Sequence, residues 1–229
     1  MYKRKGYFVM NQKAKKYFVA GGVLGVLFVL FTILVATVDV QPIGPEGTEI
    51  GFAAINKFVF EAIGVHLAWY EITDLLGKIA LLLAACFALV GAYQFIKRKS
   101  IRKVDKEILL IGVLYVAVVA CYVLFELFVI NYRPVILETS PEASYPSSHT
   151  MLTISIVATA YAPLHSFFGE RKKLRLCADI ALGLLMAITV VGRLISGVHW
   201  FTDILGGVLL ALALVMLYWG ALKKVQADR

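Results

Sequence analysis

Two arginines, two histidines, a serine pair and an aspartate fall between Tyr132 and Asp203 in a chain that is otherwise mostly apolar. They occur as Arg133-Pro134, then Pro146-Ser147-Ser148-His149, then Gly192-Arg193 followed by His199 and Asp203. Ionisable groups at membrane depth are costly, so each is a candidate for function. Arg133 and Arg193 offer planar forks that hydrogen-bond an oxyanion in pairs. Ser147 and Ser148 stand where a helix begins; they either cap it or help its free N–H groups to hold an anion. Asp203 lies at i+4 from His199, a spacing that lets a carboxylate hold one ring nitrogen while the other attacks. His149 has no such partner nearby in sequence and suits proton donation to a leaving oxygen. Together these types meet the needs of phosphate-ester cleavage. Metal binding by His199, Asp203 and His149 is the rival reading, but two arginines beside a cation would repel it. We therefore expect no metal and no other cofactor.

The elements that must position these groups are apolar. The 229 residues are 60% hydrophobic and only 17% charged, against about 25% charged in soluble domains, and the mean hydropathy is +0.81. Runs at about 17–38, 69–96, 107–130, 147–168, 175–195 and 199–221 are each long enough to cross a ~30 Å hydrocarbon core. The first exceeds the ~7–15 apolar residues of a signal peptide, so it reads as an uncleaved span. Ile50, Ala54, Phe58 and Ala62 recur at helical spacing between Glu49 and Ile63, which predicts a helix lying in the interface after the first span, with an ordinary structured loop as the alternative. Asp74 and Lys78 stand one turn apart in the second span, either as an i,i+4 pair or with Lys78 facing the pocket.

Basic residues fix the expected orientation. The N-terminal segment, 97–106, 171–175 and the C-terminal segment hold 19 of the 23 lysines and arginines. Six spans put all four segments on one side, which the positive-inside rule makes cytoplasmic. Topology thus explains the net charge of +8 without nucleic acid. Arg133, Ser147, Ser148, His149, Arg193, His199 and Asp203 then gather at the outward ends of spans three to six. Cys86, Cys121 and Cys177 lie inside apolar runs with no ligand spacing and read as packing residues. No repeat is evident, and residues 1–229 read as a single membrane domain with no obligate protein partner.

The three motifs resemble those of the type-2 phosphatidic acid phosphatase family, integral membrane lipid phosphatases whose pattern is K-x6-R-P, P-S-G-H and S-R-x5-H-x3-D. The resemblance implies an all-α, six-span fold and a metal-free hydrolase. It implies that His199 is phosphorylated, Asp203 orients it, and His149 protonates the leaving alcohol and then activates water. Arg133, Arg193, Ser147 and Ser148 would hold the phosphate. Three positions depart from the pattern: Ser148 stands for a glycine, Gly192 for a serine, and Glu126 for the lysine of the first motif. A carboxylate beside a phosphate repels it unless paired, so Glu126 is expected to pair with Arg133 or Lys78, or to narrow the substrates. Within the family the chain is most similar to the bacterial phosphatidylglycerophosphatase B type. That similarity implies phosphatidylglycerol phosphate as substrate and an active site on the outer face of the bacterial cell membrane. Undecaprenyl diphosphate and phosphatidic acid compete as substrates. A carrier that binds an anion without cleaving it is the rival function, and it has no need of an oriented nucleophile.

Overall fold

The computed structural model describes residues 12–227; Lys3, Arg4, Lys5 and Arg229, counted above among the basic segments, lie outside the described residues. The helices are α1 (Gln12–Thr37), α2 (Ala53–Ile63), α3 (Leu67–Arg98), α4 (Lys106–Leu127), α5 (Ser148–Phe168), α6 (Lys172–Ile195) and α7 (Phe201–Ala227). Among the described residues the only extended pairing is two isolated bridges, Gln41 with Ile50 and Tyr132 with Ala143. All but α2 are long and apolar enough to cross a membrane. The chain is an all-α, multi-pass membrane protein, as its apolar runs predict. Several helices outrun those runs, α1 beginning at Gln12 and α7 ending at Ala227. Hydropathy marks the hydrocarbon edge, whereas lysines and glutamines continue a helix into water without cost.

Helices α5 and α7 form the centre. Half of the apolar window of α7 and 44% of that of α5 is buried, against 11–17% for the other four spans. Around them α1 packs on α7, α6 and α3 on α5, and α4 on both. The outer helices turn Val23, Leu82, Val116 and Leu184 outward, where lipid rather than protein satisfies them. Gly21 of α1 lies against Leu217 of α7, and one cleft is lined by Glu107, His165, Trp219 and Lys223. The N-terminal end of α1, the start of α4 and the ends of α5 and α7 therefore share one end of the bundle, the basic one.

The opposite end is polar and tightly bonded. Within the α4–α5 connection Arg133 N–H donates to Glu142 O at 2.9 Å and Ser144 N–H to Asn131 O at 2.9 Å. The Tyr145 ring stacks on Phe28 at 6.3 Å and meets Phe125 edge-on at 5.9 Å. Its hydroxyl lies 2.8 Å from Thr32 Oγ1, the polar partner a buried tyrosine requires. This anchor fixes the chain just before Pro146 and the serines.

Helix α2 exists where the spacing predicts one, but starts at Ala53 rather than Glu49 and buries a different face. Ile55 and Phe58 point outward, while Asn56 is fully buried. Asn56 Nδ2 donates to Gly51 O at 2.8 Å and to Thr202 Oγ1 at 2.9 Å, and its Oδ1 accepts from Thr202 N–H at 3.1 Å. The apolar stripe serves the surroundings; the amide ties α2 to the start of α7.

Candidate active site

Arg133, Ser147, His149, Arg193, His199 and Asp203 come from four separate segments and meet at the polar end. His199 sits in the α6–α7 turn with its side chain 1% exposed. Arg133 Nη1 lies 3.2 Å from His199 Nε2. A guanidinium only donates, so Nε2 accepts and the ring proton resides on Nδ1. The lone pair needed for attack is therefore on Nε2. Burial first, then the positive charges of Arg133 and Arg193, hold His199 well below the ordinary value of 6.5. It is neutral and nucleophilic at pH 7.

That depression has a sign. The folded chain resists protonating His199, and the unfolded chain does not. The stabilisation is present above pH 6.5 and is lost as the pH falls from there toward the folded-state value. Thermal unfolding in detergent is expected to shift to lower temperature between pH 7.5 and 5, and His199→Gln should flatten part of that slope; equal slopes would contradict the assignment.

Asp203 corrects one expectation. His199 precedes the first helical residue of α7, so the two are not on one regular helical face, and Asp203 Oδ2 lies 3.7 Å from His199 Nδ1, beyond a hydrogen bond. The carboxylate is engaged instead by Trp200 N–H at 2.9 Å and by Asn131 Nδ2 at 3.1 Å. The open N–H at the start of α7 is nearer than the imidazole. Asn131 in turn receives Gly51 N–H at its Oδ1, 3.2 Å away, so one buried amide ties Asp203 to the residues that lead into α2. Asp203 faces the imidazole as a carboxyl group held in place.

Arg193 is fully buried near the end of α6. Its guanidinium lies 5.0 Å from the Tyr70 ring centroid and 4.0 Å from Asp74 Oδ1, yet Nε, Nη1 and Nη2 make no hydrogen bond. Ser147 Oγ and His149 Nδ1 are likewise buried without a partner. Ser147 is the residue before α5 and its side chain does not cap the helix; its N–H donates to Asp203 O at 2.9 Å, joining α5 to α7. Ser148 opens α5, half-buried beside His149. Ser147 and His149 stand at the first turn of α5, and Arg193 is near enough for its charge to act on His149; that turn's own N–H groups and dipole favour an anion.

Glu126 pairs with neither cation expected for it. Arg133 Nε pairs with Glu142 at 2.8 Å and Lys78 with Asp74 at 2.8 Å. Glu126 is exposed on α4 beside Tyr122, on a cleft that reaches Ser148 and His199. Lys78 stays on the outer side of its pair, 70% exposed.

Gly192 has a packing reason. A Cβ there would lie 2.6 Å from Thr73 Cγ2 and 3.0 Å from the Trp69 ring, so α3 and α6 approach too closely for the serine of the family pattern. Gly192→Ser is expected to cost about 1–3 kcal/mol, read as a lower thermal midpoint; an unchanged midpoint would show that Trp69 moves aside freely.

Asn131, Glu142, Asn56 and Asp74 are the contributors that sequence reasoning missed. Asn131 adjoins Tyr132-Arg133 and its polarity at a span end was a usable signal. Asp74 was visible as an intramembrane acid but read only as the partner of Lys78. Among the described residues no three His, Cys, Asp or Glu side chains group as metal ligands do.

Residues 128–227 match the model of the PAP2 superfamily. That stretch contains Asn131, Arg133, Ser147, Ser148, His149, Arg193, His199 and Asp203, while Asp74, Lys78 and Glu126 fall outside it. In fold the chain is similar to the crystal structure of a transmembrane PAP2-type phosphatidylglycerolphosphate phosphatase from Bacillus subtilis. The TM-score is 0.64 over 92% of this chain and 99% of that one, at 20% identity. No curated protein matches the chain.

Proposed function

We propose that the chain, which carries the PAP2 superfamily pattern over residues 128–227, is a membrane lipid phosphatase working through a phosphohistidine at His199. One observation carries this reading. A fully buried guanidinium with three nitrogens lacking hydrogen bonds sits among other unpartnered donors and a neutral imidazole. Buried cations are tolerated when an anion completes them, and a phosphate supplies the oxygens for Arg193, Ser147 and the α5 N–H groups.

The reaction then runs in two displacements. Arg133 turns its N–H from His199 Nε2 to a phosphate oxygen, freeing the lone pair. Nε2 bonds to phosphorus as the phosphorus–oxygen bond to the lipid alcohol breaks, and the protonated His149 gives that oxygen its proton through Nδ1. In the second displacement water attacks phosphorus, its proton passes to His149, and the phosphorus–nitrogen bond breaks to restore His199. Arg133 and Arg193 hold the negative charge throughout, and Asp203 favours the positive charge that forms on His199 as it bonds.

The basic end faces the cytoplasm by the positive-inside rule. Both termini then lie inside and the site opens toward the outer leaflet of a bacterial cell membrane. Phosphatidylglycerol phosphate is the proposed substrate, supported by the activity named for the Bacillus subtilis protein of similar fold. Purified protein in EDTA, given phosphatidylglycerol phosphate, phosphatidic acid and undecaprenyl diphosphate side by side, is expected to release phosphate fastest from the first. Faster release from undecaprenyl diphosphate would reassign the substrate, and loss of all release in EDTA would overturn the metal-free reaction. Binding of inorganic phosphate with no release from any lipid would favour an anion carrier.

A further inference from the structure

We propose that Asp74 is the positioning residue for His149, so that nucleophile and general acid each work beside their own carboxylate. The proposal rests on the phosphatase reading above and assigns α3 a part in the chemistry.

His149 Nε2 lies 3.2 Å from Asp74 Oδ1. A carboxylate accepts and does not donate, so Nε2 carries a proton in both charge states of the ring. The proton that is exchanged with substrate is therefore the one on Nδ1, which is buried and free of any protein partner. The other oxygen of Asp74 is held by Lys78 Nζ at 2.8 Å, which fixes the plane of the carboxylate. Gly77, on the same helix, leaves room for the ring: a Cβ there would stand 2.8 Å from His149 Cδ2. Helix α3 thus clears a place for the imidazole at one residue and grips it at another.

The charges around the ring make that grip necessary. Arg193 from α6 and Arg133 from the α4–α5 connection both face His149, and His199 lies near as well. Lys78 on α3 and Tyr122 on α4 line the same cleft. Two guanidiniums chosen for phosphate oppose the imidazolium that must donate the proton. Asp74 is the negative group that offsets them at His149. For stability alone the pair with Lys78 is too exposed to contribute much.

The test uses single-turnover phosphoryl transfer to His199 from two esters, an alkyl lipid phosphate and a nitrophenyl phosphate. Nitrophenolate leaves without a proton and an alkoxide does not. Asp74→Asn is expected to lose roughly 10- to 100-fold on the alkyl ester with little change on the nitrophenyl ester, and Asp74→Glu to recover part of the loss. Equal losses on both esters, or none on either, would overturn the pairing while leaving the phosphatase intact. A wild-type chain that transfers no phosphate from either ester would overturn both. If Asp74→Asn does not fold, Gly77→Ala tests the same arrangement. The added Cβ displaces the ring from Asp74, and an unchanged ratio between the two esters would again overturn the proposal.

Discussion

Arg193→Met is expected to lower kcat/KM for lipid phosphate by about 30-fold to several-thousandfold while leaving the thermal midpoint unchanged or higher. The first half follows from the anion. Truncating one member of a buried charge pair costs roughly 2–5 kcal/mol, and each 1.36 kcal/mol is about tenfold in rate. The second half follows from the guanidinium itself. It is fully buried, makes no hydrogen bond through any of its three nitrogens, and has only Asp74 at 4.0 Å and the Tyr70 ring beside it. An ion left so poorly compensated is destabilising, and an apolar side chain of similar length relieves the desolvation. A protein that becomes inactive and no less stable would mark Arg193 as a residue kept for its ligand. Loss of stability with activity retained would mean that the guanidinium holds the helices together instead.

His199→Ala should remove at least about a thousandfold of phosphate release, because no other neutral imidazole in the site has its lone pair directed by an arginine. Asp203→Asn makes a different kind of variant. Asp203 accepts hydrogen bonds from Trp200 N–H and Asn131 Nδ2 in a fully buried setting. An amide in its place puts a donor against one of those donors. That variant is expected to lose stability as well as activity, whereas His199→Ala keeps the midpoint near the wild-type value. If the two variants were equally unstable, the activity loss in His199→Ala would be a folding effect and the nucleophile would need another candidate.

Six spans and the gathering of Arg133, Ser147, His149, Arg193 and His199 at one end were legible because both rest on local facts. Apolar length fixes a span, and alternation of direction then carries every basic loop to one side. What stayed hidden depends on which atoms touch across helices. The i+4 spacing of His199 and Asp203 predicts a helical face, yet α7 begins between them at Phe201, and the start of a helix diverts the carboxylate to Trp200 N–H. Asn56 was hidden by its own apolar neighbours, since the stripe of Ile50, Ala54, Phe58 and Ala62 dominates the periodicity while a single amide makes the contact that counts. Glu142 lies in a loop of no regular period, and only the fold brings it to Arg133. Asp74 pairs with Lys78 as its spacing predicts; that the same carboxylate also reaches His149 is set by the crossing of α3 over α5.

The central claim is that phosphorus bonds to His199 on its way to water. It is tested most directly by rapid quench of a labelled nitrophenyl phosphate on the purified chain carrying His149→Asn, in which the nitrophenolate leaves without a proton, water is poorly activated and the intermediate persists. The account predicts an alkali-stable, acid-labile label on the peptide containing His199, absent when His199→Ala is added. Full release of phosphate with no label on that peptide at any quench time would contradict it.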